Sequence, residues 1–344
     1  MGLAASSSPQ ATIARVPEFS VAVTALRALT EDDLEAVNKA ILDCMLSPVS
    51  MIPDLAGHLI NAGGKRIRPM LTLATAKCLA YRGEHHVKLA AAVELIHGAT
   101  LLHDDVVDAS ALRRGAETAN IIWGNKESVL VGDFVFSRAF ELMVGAKDLR
   151  VLEVLSRASG VIAEGEVLQL ATQKNLNATL EMYLAVVEAK TAALFAAATQ
   201  SGALIANAPH AAQEAMRVYG LNLGIAYQLI DDALDYTGFE KNLGKSVGDD
   251  FREGKMTLPV VYALQRSRDE EKAFWERTIA NGQQEDGDFD RALAFMQRDD
   301  AVSDTIEDAK KYASLALQAL DAVPNNEYST ALGDLVEASV SRIS

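Results

Sequence analysis

Cysteine is nearly missing from this chain: there are two in 344 residues, Cys44 and Cys78, far apart and in no Cys-x-x-Cys pair. That argues against a disulfide framework and against a cysteine-built zinc site. The expected setting is a reducing cytoplasm. Long apolar runs are missing as well. The closest approach, residues 185–208, is broken by Glu188, Lys190 and Gln200, so it reads as a buried helix rather than a membrane span. The first residues contain no secretory apolar core. They match the myristoylation pattern at Gly2 and Ser6, but that pattern is short and common, and residues 1–20 are expected to be a disordered tail.

Positive charge is in deficit. Lysine and arginine number 32 against 47 aspartates and glutamates, a net charge of −15. Nucleic acid and an anionic membrane are therefore poor candidates for the main partner. An anionic substrate would have to be drawn by a local basic patch. Proline is scarce where it matters: none of the eight lies between Pro69 and Pro209. Helix interiors tolerate proline least, and that stretch is rich in the helix formers Ala, Leu, Glu and Lys. Apolar residues recur there at helical spacing, as at Leu89, Val93 and Ile96, and strand-like alternation is missing. The reading is an all-α chain of a dozen or so helices. Residues 21–344 carry no linker and form a single domain. Pro69 suits a first helical position. "GEHH" (83–86) reads as exposed loop, and "RDEEKAFWERTIANGQQEDGDFD" (268–290) as a solvated helix–loop–helix.

What is present is an acidic pattern that occurs twice. "LLHDDVVDASALRRG" places Asp104, Asp105 and Asp108 at i, i+1 and i+4. "YQLIDDALDYTG" repeats that spacing with Asp231, Asp232 and Asp235. On a helix, i and i+4 share a face and i+1 stands about 100° round. Each trio thus forms a carboxylate cluster behind an apolar helix, which is costly without a compensating cation. Magnesium suits it, taking hard oxygen ligands from one or two carboxylates, water and phosphates. One such trio is readily a solvated helix end; two of the same spacing are much harder to dismiss.

The cations gather beside these acids. Lys65, Arg66 and Arg68 lie in "GGKRIRP". Arg113 and Arg114 follow the first trio, and Lys245, Arg252 and Lys255 follow the second. Lys190 and Thr191 sit in the otherwise apolar "EAKTAALFAA", where a lone lysine is not expected to be buried unpaired. Guanidinium forks and ammonium point charges are what phosphate oxygens select. The grouping suggests a site for metal and polyphosphate together. Taken singly, each cation is more readily read as part of a surface salt-bridge network. Glu94 and His97 form a Glu-x-x-His pair of the di-iron type, but such bundles need two of them.

With these motifs in this order, adding "GDFVFSRAF" and "GKSVGDDFREGKMTLP", the chain resembles the trans-isoprenyl diphosphate synthases (polyprenyl synthetases) from about Ile41 onward. The resemblance implies an all-α isoprenoid-synthase bundle around a deep central cavity, a homodimer and magnesium dependence, with three ions per active site and manganese as a substitute. It implies that Asp104, Asp105 and Asp108 hold metal on one wall and Asp231, Asp232 and Asp235 on the other. It assigns Arg113, Lys190, Lys245 and Lys255 to the allylic diphosphate, and Lys65, Arg68, His97 and Arg114 to isopentenyl diphosphate. Thr191 and Gln228 would line the space where charge develops. The implied reaction is ionisation of an allylic diphosphate (farnesyl or geranylgeranyl), attack by the double bond of isopentenyl diphosphate, and proton loss to the released diphosphate.

Two alternatives carry different expectations. A terpene cyclase would lack "GGKRIRP" and would want an aromatic-rich pocket, whereas aromatics are 6% here. A shorter-chain synthase would place bulky residues one turn or more before the first trio. Ala99 and Thr100 stand there, about 7.5 Å deeper for a five-residue rise. Ala99 is small, so a long product is expected, octaprenyl to decaprenyl, in keeping with the bacterial quinone side-chain synthases that the chain resembles. Peripheral membrane association would serve release of such a product.

Overall fold

The computed structural model describes residues 16–61, 64–113, 115–237 and 247–343, with the backbone alone for 59–61. Gly2, Ser6, Arg114 and Lys245 lie outside the described residues, as does most of the expected N-terminal tail. The described chain is almost wholly helical. Its helices are α1 (Phe19–Leu29), α2 (Glu31–Cys44), α3 (Met51–Asn61), α4 (Ile67–Cys78), α5 (His85–Val107), α6 (Ala119–Ile122), α7 (Asn125–Gly145), α8 (Leu149–Thr172) and α9 (Leu180–Val187). After a π turn (Glu188–Ala192) come α10 (Ala193–Ile205), α11 (His210–Leu234), α12 (Asp249–Arg252), α13 (Leu258–Gln265), α14 (Asp269–Trp275), α15 (Asp288–Arg298), α16 (Ala301–Ala319) and α17 (Glu327–Val340). The only sheet among the described residues is a two-residue antiparallel ladder, β1 (Leu112–Arg113) with β2 (Ala116–Glu117), pairing Leu112 with Glu117 and Arg113 with Ala116.

The core helices carry little polarity on any face. In α10 every residue from Leu194 to Ile205 except Gln200 is buried, the pattern of a helix enclosed on all sides. It packs against α4, α5, α8 and α11, while α5 also packs on α7 and α11 on α16. The unbroken helical stretch Leu180–Ile205 is long and apolar enough to cross a membrane by length and composition, but half of its apolar window is buried inside the bundle.

Three expectations need correction. His85 and His86 are not loop residues: they open α5, and His86 is buried against Asp33. The 268–290 segment is only half solvated, because Phe274, Trp275 and Ile279 turn inward to form a small core with Phe251, Val260 and Met296. Pro69 is the third residue of α4 rather than the first; it remains in the first turn, where its missing N–H costs nothing.

Candidate active site

The two acid trios occupy matching places. Asp104 and Asp105 lie in the last turn of α5 and Asp108 caps it. Asp231 and Asp232 lie in the last turn of α11 and Asp235 caps it. The C-terminal end of a helix is the negative end of its dipole, where a carboxylate is disfavoured by about 0.3–1 kcal/mol. Both trios therefore sit where the backbone itself calls for cations.

Those cations arrive from other elements. Lys190 projects from the π turn, its Nζ 2.7 Å from Glu166 Oε2 of α8 and 3.9 Å from Asp104 Oδ2. Burial pushes the Asp104 carboxyl up to about 6, Lys190 pulls it back, and Glu166 and Asp108 push it further. Asp105 is buried, and Arg113 donates to its Oδ1 from Nε at 2.9 Å and from Nη2 at 2.7 Å. The short β1–β2 hairpin turns Arg113 back onto the helix it has just left.

On the second wall, Asp232 is buried. Its Oδ2 accepts from the Tyr183 hydroxyl at 2.6 Å and its Oδ1 from Gln228 Nε2 at 2.8 Å. Gln228 Oε1 in turn accepts from the Thr191 hydroxyl at 3.0 Å. Burial and the neighbouring Asp250 push the Asp232 carboxyl upward, and the same two causes bring Asp235 to about 6. Asp235 Oδ2 also accepts the backbone N–H of Asp250 at 3.0 Å. Lys255 answers this crowd, 2.5 Å from Glu253 and 3.6 Å from Asp250. Burial pulls its ammonium down, but Asp250, Glu253 and, from the opposite wall, Asp108 outweigh that and hold it charged. A cavity of about 350 Å³ lies here, lined by Lys190, Thr191, Gln228, Asp231, Asp232 and Lys255 among others.

The third cluster brings "KRIR" to the side of α5. Arg66 pairs with Glu94, and Arg68 Nη1 lies 3.2 Å from His97 Nε2. The Glu-x-x-His pair is thereby accounted for: residues one turn apart receive Arg66 and Arg68 at the start of α4. Arg66 adopts a left-handed backbone, φ 53°, at the start of α4, a conformation that non-glycine residues adopt at some cost.

The π turn aims Lys190 and Thr191, and two glycines make room for it. A Cβ at Gly165 would stand 2.7 Å from Ala189 Cβ and 2.9 Å from the Lys190 backbone nitrogen. One at Gly224 would stand 2.6 Å from Ala192 Cα. The extra backbone width of a π turn thus fits between α8 and α11 only because both present glycine.

A polyprenyl synthetase family model matches residues 49–296. The chain belongs to the polyprenyl synthetase family. It is a prenyltransferase. It is 42% identical over 317 residues to octaprenyl diphosphate synthase of Escherichia coli (strain K12), covering 92% of this chain and 98% of that one. Among solved structures it is similar to a polyprenyl synthase from Caulobacter crescentus CB15, complexed with calcium and isoprenyl diphosphate, with a TM-score of 0.90, 52% identity, and coverage of 94% of this chain and 98% of that one. It is likewise similar to a decaprenyl diphosphate synthase from Rhodobacter capsulatus, with a TM-score of 0.91, 48% identity, and coverage of 94% and 99%. The synthase fold thus accounts for the all-α bundle.

Among the synthase's described residues, no group of three or more His, Cys, Asp or Glu is gathered closely enough to hold a metal alone. The donor set still fits a hard divalent cation. It offers carboxylates only, with Asp104, Asp232 and Asp235 pushed upward by burial, in ones and twos that leave coordination positions for diphosphate oxygens. Ala99 is fully buried in the main core, and the Thr100 hydroxyl donates to the His97 carbonyl at 2.8 Å. Neither lines the cavity just described. Sequence reading missed Glu166, Tyr183, Asp250 and Arg342. Asp250 lies inside the motif "GKSVGDDFREGKMTLP" without a spacing that marks it, and Glu166 meets Lys190 only in the fold. Arg342 is brought in by tertiary structure alone, its Nη2 2.6 Å from Asp231 Oδ1.

Proposed function

We propose that this prenyltransferase is a long-chain trans-polyprenyl diphosphate synthase, adding isopentenyl diphosphate to an allylic diphosphate with magnesium in both acid trios. The observation that carries it is the convergence of Asp104, Asp108, Lys190 and Glu166 on one side with Lys255 across the gap, next to a cavity lined by the second trio. A divalent cation held by these carboxylates and by diphosphate oxygens would neutralise the charge of the departing diphosphate. Lys190, Lys255 and Arg113 bind that diphosphate and keep its charge in place as the allylic C–O bond ionises. Thr191 and Gln228 present oxygen dipoles to the developing cation. Arg68, Lys65 and His97 orient isopentenyl diphosphate so that its double bond meets the cation, and the released diphosphate takes the proton. Apolar walls exclude water that would quench the cation.

Long-chain product is supported by the names of the similar proteins, octaprenyl and decaprenyl diphosphate synthases, and by the small residue at Ala99. The chain also reads as a homodimer, because large apolar side chains stand exposed along one stretch, at Leu112, Ile121, Ile122, Leu130 and Val144. Residues 21–344 then form one catalytic domain, with peripheral membrane contact serving product release. The test is incubation of the purified protein with magnesium, labelled isopentenyl diphosphate and farnesyl diphosphate, with products sized by chromatography and Asp104→Asn as the inactive control. Products of C40 to C50 are expected. Cyclic hydrocarbon or no elongation would refute the reading.

A further inference from the structure

Arg342 follows α17, and its side chain is only 7% exposed. Burying a guanidinium is costly unless it is paired and stacked. Here it is both. Its Nη2 stands 2.6 Å from Asp231 Oδ1, and its Cζ lies 4.9 Å from the ring centroids of Phe19 and of Tyr227. Two more cations use the same aromatic set. Lys65 Nζ lies 4.5 Å from the Phe19 centroid, and Arg68 Cζ lies 4.6 Å from that of Phe195, which neighbours Tyr227 at 5.9 Å. Arg342 is therefore lodged in a basic, aromatic cluster contributed by α1, α4, α10 and α11. Its anionic partner is the first acid of the second trio.

We propose that Arg342 is the resting counter-ion of Asp231, and that loading the second trio with a divalent cation is an exchange in which Arg342 gives up this carboxylate. The inference rests on the reading of Asp231 as a metal donor. A guanidinium and a divalent cation in contact with one carboxylate repel each other. The cation must therefore open or stretch a close ion pair before it binds. Its apparent affinity is reduced by the fraction of molecules in which that pair is closed. The exchange also has a direction. Once Asp231 is neutralised by the incoming cation, the Arg342 charge is left uncompensated beside Lys65 and Arg68, where the cluster is prepared for an anion. Cation loading on the second trio and anion loading on the basic cluster then favour each other through a single coupling free energy, the same from either side. Arg342 thus makes each half of the site respond to the filling of the other, and it offsets the charge of Asp231 while both are empty.

The test is a titration of the metal-free enzyme with manganese(II), free ion being counted by electron paramagnetic resonance. Arg342→Gln keeps the aliphatic stem between the rings and removes the charge. It is expected to bind the Asp231-dependent ion about tenfold tighter, the least that loss of a charge-assisted competitor implies. Arg342→Lys should stay near wild type. Asp231→Asn should lose that ion, and adding Arg342→Gln to it should change nothing further. If Asp231→Asn weakens binding while Arg342→Gln leaves it unchanged or weakens it too, Arg342 orients the carboxylate instead of competing for it, and the exchange is overturned. If Asp231→Asn has no effect, the metal reading beneath the proposal fails and the exchange falls with it. Thermal melts accompany each variant, and Arg342→Asn serves should Arg342→Gln not fold.

Discussion

Glu166 of α8 and Lys190 of the π turn are joined at 2.7 Å, and Asp104 Oδ2 of α5 lies 3.9 Å from the same ammonium. A lysine is a point charge on a flexible stem, and the proposed diphosphate site needs that charge at a fixed place. The carboxylate that grips Lys190 therefore acts through it. It also adds negative charge where an anion must bind, so the grip and the repulsion oppose each other. Glu166→Ala removes both and should lower kcat about tenfold, whereas Glu166→Gln keeps an acceptor for Lys190 and should restore most of it. Steady-state kinetics on the two variants decide this. Equal impairment would mean that the charge of Glu166, and not its grip, is what matters.

Gly165 tests the seat of the π turn. A methyl group there would meet Ala189 Cβ at 2.7 Å and the Lys190 backbone at 2.9 Å, and neither can move without shifting the turn. Gly165→Ala should destabilise the fold by about 1–3 kcal/mol, the usual cost of overpacking. It should also raise the KM for the allylic diphosphate, because Lys190 moves with the backbone. Urea melts and kinetics measure the two effects. A stability loss with unchanged KM would uncouple the turn from the substrate site.

The two proposed diphosphate sites should separate by substrate. Arg68→Ala should raise the KM for isopentenyl diphosphate more than that for the allylic substrate, and Lys190→Ala should do the reverse. One lost charge-assisted contact amounts to about 1.5–3 kcal/mol. Matching increases on both substrates would show that the assignment of cations to pockets is wrong.

The legible part of this molecule lies where chemistry repeats along the chain. The paired trios, the basic loop and Lys190 in its apolar helix stand out because charge in such places needs a reason, and the structure brings Asp104, Asp108, Lys190 and Lys255 toward one gap. The proline-free stretch gave the helices, while composition alone could not say that Trp275 turns inward from a charged segment. Tyr183, Asp250 and Arg342 escaped notice because each is ordinary in its own stretch of sequence. Only the approach of α9, α12 and the segment after α17 to α11 gives them partners. The π turn was equally invisible, since nothing in "EAKTA" distinguishes it from α-helix until Gly165 and Gly224 are seen on either side.

His86 makes stability depend on pH away from the site. Burial pushes its pKa below the ordinary 6.5, with Asp33 only partly opposing. Its Nε2 lies 3.0 Å from Asp33 Oδ2. Burial raises the Asp33 carboxyl, but hydrogen bonds from Lys77 and His86 outweigh that and hold it below 3.8. The signs agree. Between the folded His86 value and 6.5 the unfolded chain binds more protons, so stability is full above 6.5 and falls as pH drops. Below 3.8 Asp33 adds a second loss. His86→Gln should flatten the fall in Tm between pH 7 and pH 5. An unchanged slope would place the sensitivity in other groups.

Product length is tested at Ala99. It lies five residues before Asp104, on the same helix, about 7.5 Å deeper by helical rise. A hydrocarbon lengthened at the metal end by five-carbon steps must travel away from the acids, and an aromatic ring at this depth would push neighbouring side chains into that path. Ala99 is fully enclosed by the core, so a ring there displaces neighbours at a cost of about 1–3 kcal/mol, which should appear as a lower Tm. The acids one turn nearer the surface keep their positions. Ala99→Tyr should therefore retain the first condensation and stop early, shifting products from C40–C50 to about C15–C20 on chromatography. Full-length product from a folded Ala99→Tyr enzyme would mean that the chain passes by another route, and that length is set deeper, near Met143 or Leu155.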